Sequence, residues 1–231
     1  IIGAPNAGKS TLVNQLAGSK ISIVSHKVQT TRARIRAILV EGDAQVVLVD
    51  TPGIFTPKRK LDTAMVDNAW AGASEADAVI VLIDARRGMD EQAERIIRHI
   101  KEQNRKAMLV INKTDLVRPE QLLPLSQKLN EAYSFTETFM VSALTGSGVA
   151  KLKARLAALM PEGPWHYPDD QVADVNLRFL AAEITREKIY ERLHEELPYS
   201  STVETETWEE MKDGSVKIKQ YSFGSNCIIK R

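Results

Sequence analysis

The amino-acid sequence predicts a doubly wound α/β domain followed by a smaller α+β unit. Apolar runs alternate with segments of helical period from residue 1 to about residue 160, and the runs at 78–84 and 107–111 are almost wholly apolar. Continuous apolar runs of this length are typical of strands buried on both faces of a parallel sheet. Alternating strands and helices then imply one sheet whose strands are joined by right-handed crossovers.

Shorter patterns predict the remaining elements of this first domain, 1–160. Strands alternate in polarity or are short and apolar, and helices place their large aliphatic residues on one face. The predicted elements are strands at 35–40, 45–49 and 138–141 and helices at 91–103 and 149–159, with a turn at Gly42 and Asp43 between the first two strands.

A Pro-rich segment after residue 160 separates the second unit from the first. It predicts a linker over 161–173. An apolar stripe of helical period predicts one long helix over 174–197, which Pro198 ends. Two polar–apolar segments then predict a hairpin, with strands at 201–208 and 215–221 around a turn at 212–214.

Composition is that of an ordinary globular chain and indicates no particular partner. Of the 231 residues, 43% are hydrophobic and 26% charged, and the net charge is +1. Cys227 is the single cysteine, so no disulfide framework is expected and a reducing, cytosolic compartment fits best. No apolar run approaches the roughly 18 residues that span a bilayer. Only Ile1 and Ile2 precede the first motif and no initiator Met is present, so we expect a first strand that has been cut short.

Residues 3–10 fit the pattern G-x-x-x-x-G-K-S, which predicts a phosphate-binding loop at the start of a helix. The glycines let backbone N–H groups surround the β-phosphate, and the helix N-terminus adds its positive dipole end. Lys9 would bring a full charge to the β- and γ-phosphates, and the Ser10 hydroxyl would bind magnesium. The predicted contacts are Gly3, Ala4, Pro5, Asn6, Ala7, Gly8, Lys9, Ser10 and Thr11.

Two further segments predict that the site responds to the γ-phosphate. The first is Asp50, Thr51, Pro52 and Gly53 at the end of a strand, the edge at which open α/β sheets bind ligands. Asp50 would hold magnesium through a water, and the Gly53 N–H would reach the γ-phosphate. The second lies over 29–32, where Thr31, with Thr30 as the alternative, would complete magnesium coordination in the triphosphate state.

The segment 112–115 discriminates best between nucleotides. Asp115 can accept hydrogen bonds from N1–H and the 2-amino group of guanine, donors that adenine lacks. Lys113 can lie along the base and ribose, and Asn112 can tie this loop to the phosphate loop. After the next strand, Ser142, Ala143 and Leu144 would offer a backbone N–H to guanine O6. The order of these motifs predicts a GTP-binding site.

The position after Gly53 holds Ile54, where many small GTPases have a glutamine that positions the attacking water. Ile54 and the adjacent Phe55 cannot orient water. In related families an asparagine at the position of Asn6 accompanies a bridging potassium ion, which could do the electrostatic work of an arginine finger. This implies slow turnover stimulated by potassium. The alternative is that Asn6 only closes the loop by hydrogen bonds.

Together these motifs resemble the Era family, bacterial GTPases of ribosome assembly. The resemblance continues beyond the linker, and it rests on residues 3–10, 25–32, 50–53, 112–115, 142–144, 186–188 and 196–200. It implies GTP/GDP and Mg²⁺ as ligands, and a KH-type domain that binds RNA near the 3′ end of the small-subunit ribosomal RNA. It also implies a role in maturation of the small subunit, and a cytoplasmic protein associated with the inner face of the membrane.

The chain departs from the family pattern at its end. A KH domain clamps the RNA backbone with a GXXG loop, and no GXXG follows residue 170. We therefore expect an incomplete KH-type unit over 174–231, truncated or shifted in reading frame over 221–231. Two hypotheses stay open: a GTP hydrolase that times its release from pre-ribosomal RNA, or a GTP/GDP switch with negligible turnover and no RNA binding. Asp115 and the lack of a second carboxylate motif oppose an ATP-driven enzyme.

Overall fold

The computed structural model describes residues 1–24, 34–57, 60–192, 201–224 and 227–230, which form two compact units. The first unit contains residues 1–22 and the described residues from 34 to 174. The second contains Ile23, Val24 and the described residues from 175 onward.

The first unit is an α/β domain, as the sequence predicts. Its elements in chain order are β1 (Ile2–Gly3), α1 (Lys9–Ala17), β2 (Ile35–Glu41), β3 (Ala44–Asp50), α2 (Lys60–Glu75), β4 (Ile80–Asp84), α3 (Glu91–Glu102), β5 (Met108–Asn112), a 3₁₀ turn at Thr114–Leu116, α4 (Pro119–Ala132), β6 (Thr138–Met140) and α5 (Val149–Leu159). Parallel pairing joins four strands in the order β1-β4-β5-β6. Every residue of β4 and β5 is buried, which explains why each strand is apolar up to its final residue.

The hairpin β2–β3 is antiparallel and lies beside the first strand of this sheet. Gly42 has a positive φ of 59°, a conformation that glycine adopts without steric cost, and it makes the hairpin turn. The chain after β3 is bonded to the start of the molecule: the Thr51 hydroxyl donates to Ile1 O at 2.7 Å, and Ile54 N donates to Gly3 O at 3.0 Å. These bonds bring Asp50 to the same edge as the phosphate loop.

Two helices, α2 and α4, were not predicted from the sequence. The inward face of α2 consists mainly of small residues such as Ala69 and Ala73, which give a weak periodic signal. In α4 the exposed Leu123 stands on the outer face and Pro124 lies inside the helix, and both obscure the pattern. In both segments the helical conformation is stabilised mainly by packing against the sheet.

The segment predicted as a linker is bonded to the first unit. Trp165 Nε1 donates to Asp43 O at 3.0 Å, and the backbone N–H of Tyr167 donates to Gln45 Oε1 at 3.0 Å. Further along, Ile38 N donates to Val172 O at 2.9 Å. Segment 161–173 therefore covers the outer edge of β2. Its Pro-rich composition alone suggests a linker without contacts to the domain.

The second unit forms, in its described residues, one helix and an antiparallel sheet. It contains α6 (Leu177–Arg192), β7 (Thr202–Glu210), β8 (Val216–Gly224) and β9 (Cys227–Lys230), with strand order β7-β8-β9. The helix predicted over 174–197 starts later, because Asn176 Oδ1 accepts from Phe179 N at 2.7 Å and caps it. The predicted hairpin is present, and β9 adds a strand within the segment over which we expected a departure from the family.

Polar groups organise the buried side of α6. Arg186 pairs with Glu183 one turn earlier, and its guanidinium lies 5.3 Å from the ring centre of the buried Tyr190. Glu187 is also buried, and its Oε1 accepts from Val24 N at 2.9 Å. Arg186 and Glu187, on which the family resemblance partly rests, thus lie in the core of this unit, whereas Lys188 is exposed. Within the described residues, no helix combines the length and hydropathy needed to cross a membrane.

Candidate nucleotide site

The predicted site segments meet at one edge of the sheet. Gly3 ends β1, Asp50 ends β3 and Asn112 ends β5, while Ser142 follows β6 closely. The carboxyl ends of the strands in an open α/β sheet form the crevice in which ligands bind. Thr31 and Thr30, the predicted magnesium ligands from the segment 29–32, lie outside the described residues.

The phosphate loop has a backbone that only certain residues can adopt. Gly8 has φ 98°, and a Cβ there would lie 2.3 Å from Asn112 Nδ2. Asn6 also has a positive φ, 63°, which asparagine tolerates better than most residues. Helix α1 begins at Lys9, and Gly8 gives it no side-chain cap. The first N–H groups of the helix therefore remain available to an anion such as a phosphate.

Lys9 is folded back over this loop. Its Nζ donates to Gly3 O at 3.2 Å and to Ala4 O at 3.0 Å, and the side chain is buried. Burial lowers the pKa of Lys9 to about 8, and the nearby Asp50 carboxylate offsets part of that effect. A phosphate group placed in the loop would stabilise the charged ammonium and raise this pKa again.

This arrangement predicts that nucleotide binding takes up a proton in mildly alkaline solution. In the free protein Lys9 loses its proton as the pH rises through about 8, and the bound phosphates hold it protonated, so affinity should fall above that pH. Calorimetric titration with GDP near pH 8, in two buffers of different ionisation enthalpy, should show uptake of roughly half a proton. The Lys9→Arg variant keeps its charge and should take up none; equal uptake by both proteins would contradict the assignment to Lys9.

Ser10 and Asp50 form the part of the site suited to a small, hard cation. The Ser10 hydroxyl donates to Asp50 Oδ2 at 2.7 Å, and Asp50 is fully buried. Among the described residues no cluster of three or more His, Cys, Asp or Glu could hold a metal by itself. One hydroxyl and one carboxylate fit Mg²⁺, which usually takes one or two protein oxygens together with phosphate oxygens and water.

The segment after Asp50 runs against the phosphate loop. A Cβ on Gly53 would lie 2.9 Å from Pro5 Cα, so the two loops touch at backbone level. Gly53 N–H donates to no acceptor in the described part of the chain, which leaves it available to a γ-phosphate. Ile54, by contrast, is 2% exposed and packs in the core with Ile2. Its side chain therefore points away from the site, besides being unable to orient water.

Asn112 joins the phosphate loop to the two base-binding loops. Its Nδ2 donates to Ala7 O at 2.9 Å, and its Oδ1 accepts from Ala143 N at 2.9 Å. Ala143 N–H is engaged in this way, so among the three predicted residues Leu144 offers the backbone N–H that is free of this bond. Leu144 is 76% exposed, whereas Ser142 is buried.

Asp115 is positioned to accept from a ligand. It lies in the 3₁₀ turn that follows β5, it is exposed, and its carboxylate makes no hydrogen bond or ion pair with the residues that the structure describes. A carboxylate with two unused oxygens can take both donors on the Watson–Crick edge of guanine. A carboxylate placed in this way is suited to guanine, because adenine lacks both of these donors.

Sequence reasoning missed Asp84. This residue ends β4 directly beside Asn112, and its Oδ2 lies 2.7 Å from Lys113 Nζ. A charged residue closing an otherwise apolar strand, at the edge where ligands bind, was the available signal.

The fold and this site are those of a P-loop GTPase: the phosphate loop follows β1, a bonded Ser10–Asp50 pair is suited to a metal ion, and the exposed Asp115 carboxylate follows β5. A family model described as "50S ribosome-binding GTPase" matches residues 1–113. The chain is 65% identical over 223 residues to GTPase Era of Afipia carboxidovorans, covering 96% of this chain and 72% of that protein. It is 63% identical over 220 residues to GTPase Era of Brucella suis, covering 95% and 71%.

The chain belongs to the Era family of GTPases, and it is a GTP-binding protein that hydrolyses GTP to GDP and phosphate. Two solved structures of Era support the same fold. A point variant of Aquifex aeolicus Era bound to GDP·AlF₄⁻ superposes with a TM-score of 0.91 at 36% identity, covering 97% of this chain and 77% of that one. A structure of Era with MgGDPNP and nucleotides 1506–1542 of 16S ribosomal RNA gives a TM-score of 0.89 at 37% identity, covering 95% and 75%.

Proposed function

We propose that this chain uses its GTPase cycle in assembly of the small ribosomal subunit, by binding small-subunit ribosomal RNA near its 3′ end. One observation carries the proposal. The Era structure solved with nucleotides 1506–1542 of 16S ribosomal RNA matches 95% of this chain at a TM-score of 0.89, so the match extends through the second unit. That extent favours RNA binding over the alternative of a nucleotide switch without it.

The test is binding of RNA in two nucleotide states. Fluorescence anisotropy would measure the affinity for an RNA with the 3′-terminal small-subunit sequence, with a scrambled RNA of equal length and charge as control. The expected result is preference for the true sequence, with affinity that differs between GDP and a non-hydrolysable GTP analogue. Equal affinity for both RNAs would contradict sequence-specific recognition. Equal affinity in both nucleotide states would contradict control by the cycle.

Magnesium is part of the proposal for catalysis. Ser10 and Asp50 would hold the ion, with Thr31 as the proposed third ligand, and the bound ion neutralises charge that develops on the β- and γ-phosphate oxygens. The hydrogen bond from the half-buried Ser10 to the buried Asp50 supports this assignment. Chelation with EDTA should abolish GTP turnover, and excess Mg²⁺ should restore it. Turnover that survives chelation would rule out this role.

Potassium is proposed as the second cation, held near Asn6. Two features support it. Asn6 is an exposed residue of the phosphate loop, and Ile54 is buried in the core, so Ile54 cannot act as a water-positioning side chain. GTP turnover should be faster in potassium than in sodium buffer of equal ionic strength. Asn6→Ala should remove that difference. Equal rates in both buffers would favour the alternative, in which Asn6 only closes the loop.

The family resemblance further supports a cytoplasmic protein associated peripherally with the inner face of the membrane. Flotation of the purified chain with vesicles of acidic phospholipid would test this. Binding that is lost at high salt is expected, and absence of binding at low salt would exclude the association.

A further inference from the structure

We propose that Asp84 is a positioning residue for the nucleoside: it fixes the Lys113 side chain beneath the purine and so slows nucleotide dissociation. The inference rests on the GTPase assignment and adds to it a residue outside the five motifs of the site. Asp84 would act through Lys113 rather than by touching the nucleotide.

Both oxygens of Asp84 are engaged. Oδ2 lies 2.7 Å from Lys113 Nζ, and Oδ1 accepts from Arg86 N at 2.9 Å. The side chain is 8% exposed, and Asp84 is held in register with Asn112 by the β4–β5 pairing. A carboxylate with two fixed partners on a buried strand end has little freedom to move, so it can orient the lysine that it contacts.

Lys113 is brought to Asp84 by an unusual backbone conformation. It has φ 63°, in the left-handed region that a residue with a long side chain seldom adopts. That turn sends the side chain back across the phosphate loop, where Nζ also donates to Asn6 O at 2.5 Å. The position of a Cβ on Gly8 would be 3.8 Å from Lys113 Cε, so the methylene stem passes over the loop.

The two lysines of the site therefore differ in electrostatic role. The Lys113 ammonium is neutralised by Asp84, which leaves the methylene stem as the part that a ligand can contact. Among the described residues, Lys9 donates its hydrogen bonds to backbone carbonyls, and its charge remains available for phosphate. Asp84 thus holds the Lys113 ammonium away from the phosphates and leaves the Lys113 methylene stem in place to contact the base.

The decisive variant is Asp84→Asn, because an asparagine Oδ1 can still accept from Arg86 N while the group facing Lys113 loses its charge. Dissociation of a fluorescent GDP analogue should become about 10- to 150-fold faster, the effect of losing one charge-assisted hydrogen bond. Asp84→Glu, which keeps the charge, should recover part of this loss. Glu91→Gln is the matched control, an exposed acid close by in the chain whose removal should leave the rate within about twofold.

A double-mutant cycle with Lys113→Met separates positioning from a general structural effect. If Asp84 acts through Lys113, the double variant should release GDP no faster than Lys113→Met alone. Independent, multiplicative effects would overturn the proposal, as would an unchanged rate in Asp84→Asn. Should Asp84→Asn fail to fold, judged by thermal melting without nucleotide, the same cycle is run with Asp84→Glu. Failure of the wild-type chain to bind GDP would instead count against the GTPase assignment itself.

Discussion

Replacing Asp115 with asparagine is expected to convert the site from guanine to xanthine nucleotides. The carboxylate accepts two donors from guanine, N1–H and the 2-amino group. In the Asp115→Asn variant one oxygen becomes an NH₂ group, which faces the guanine 2-amino group donor to donor. Xanthine has a carbonyl at this position, so the amide would pair with both of its groups.

The expected size of this change follows from two hydrogen bonds to a charged acceptor. GDP affinity should fall by about 10²- to 10⁴-fold, since each such bond contributes about 1.5–3 kcal/mol. XDP should bind the variant more tightly than GDP does. The fold should be unaffected, because Asp115 is exposed and makes no bond within the described chain.

Competition of GDP and XDP against a fluorescent guanine nucleotide would measure the preference of each protein. Glu120→Gln, an exposed acid at the start of α4, is the matched control and should keep the wild-type preference. An unchanged ratio of GDP to XDP affinity in Asp115→Asn would show that another group reads the Watson–Crick edge.

The second large effect is expected from Lys9→Met. Methionine matches the length of the buried stem and removes only the ammonium. At saturating GTP the single-turnover rate should fall by about 10²- to 10³-fold, the usual cost of removing one preorganised donor from developing phosphate charge. Nucleotide-free Lys9→Met should melt no lower than wild type, because burial already disfavours the lysine charge and lowers its pKa to about 8.

Release of γ-phosphate from preloaded protein would measure that rate. Lys128→Met, an exposed lysine of α4, is the matched control and should hydrolyse at the wild-type rate. A Lys9→Met rate close to that of wild type would place the catalytic charge elsewhere. A large loss of melting temperature would show that the ammonium bonds to Gly3 and Ala4 stabilise the loop itself.

Much of the site was predictable because its chemistry is local. The phosphate loop needs glycine where φ is positive and lysine at the start of a helix, and both requirements are visible in eight consecutive residues. Asn112 and Asp115 follow an apolar run that predicts a buried strand, which already places them at the ligand-binding edge. The bond from Asn112 to the phosphate loop was expected for this reason, and the structure contains it.

Other features depended on contacts that no short pattern records. Ile54 was interpreted only as a residue unable to position water, but its neighbours in space are Ile2 and the core. The Pro-rich segment after residue 160 has the composition of a free linker. It is nevertheless held to the first unit, because the Gln45 side chain accepts a hydrogen bond from the backbone N–H of Tyr167. In α2 and α4 the packing surface is built from small or interrupted apolar positions, so periodicity gave too weak a signal.

The sequence by itself determined the α/β class, the order of the nucleotide motifs and the choice of guanine, because each depends on residues close together in the chain. Only the tertiary structure decided which side chains share the crevice. Asp84 meets Lys113 because the β4–β5 register sets Asp84 opposite Asn112, 29 residues away in sequence from its lysine partner. Strand register is a property of the packed sheet, and it turns an unremarkable strand-end aspartate into a partner of the nucleotide site.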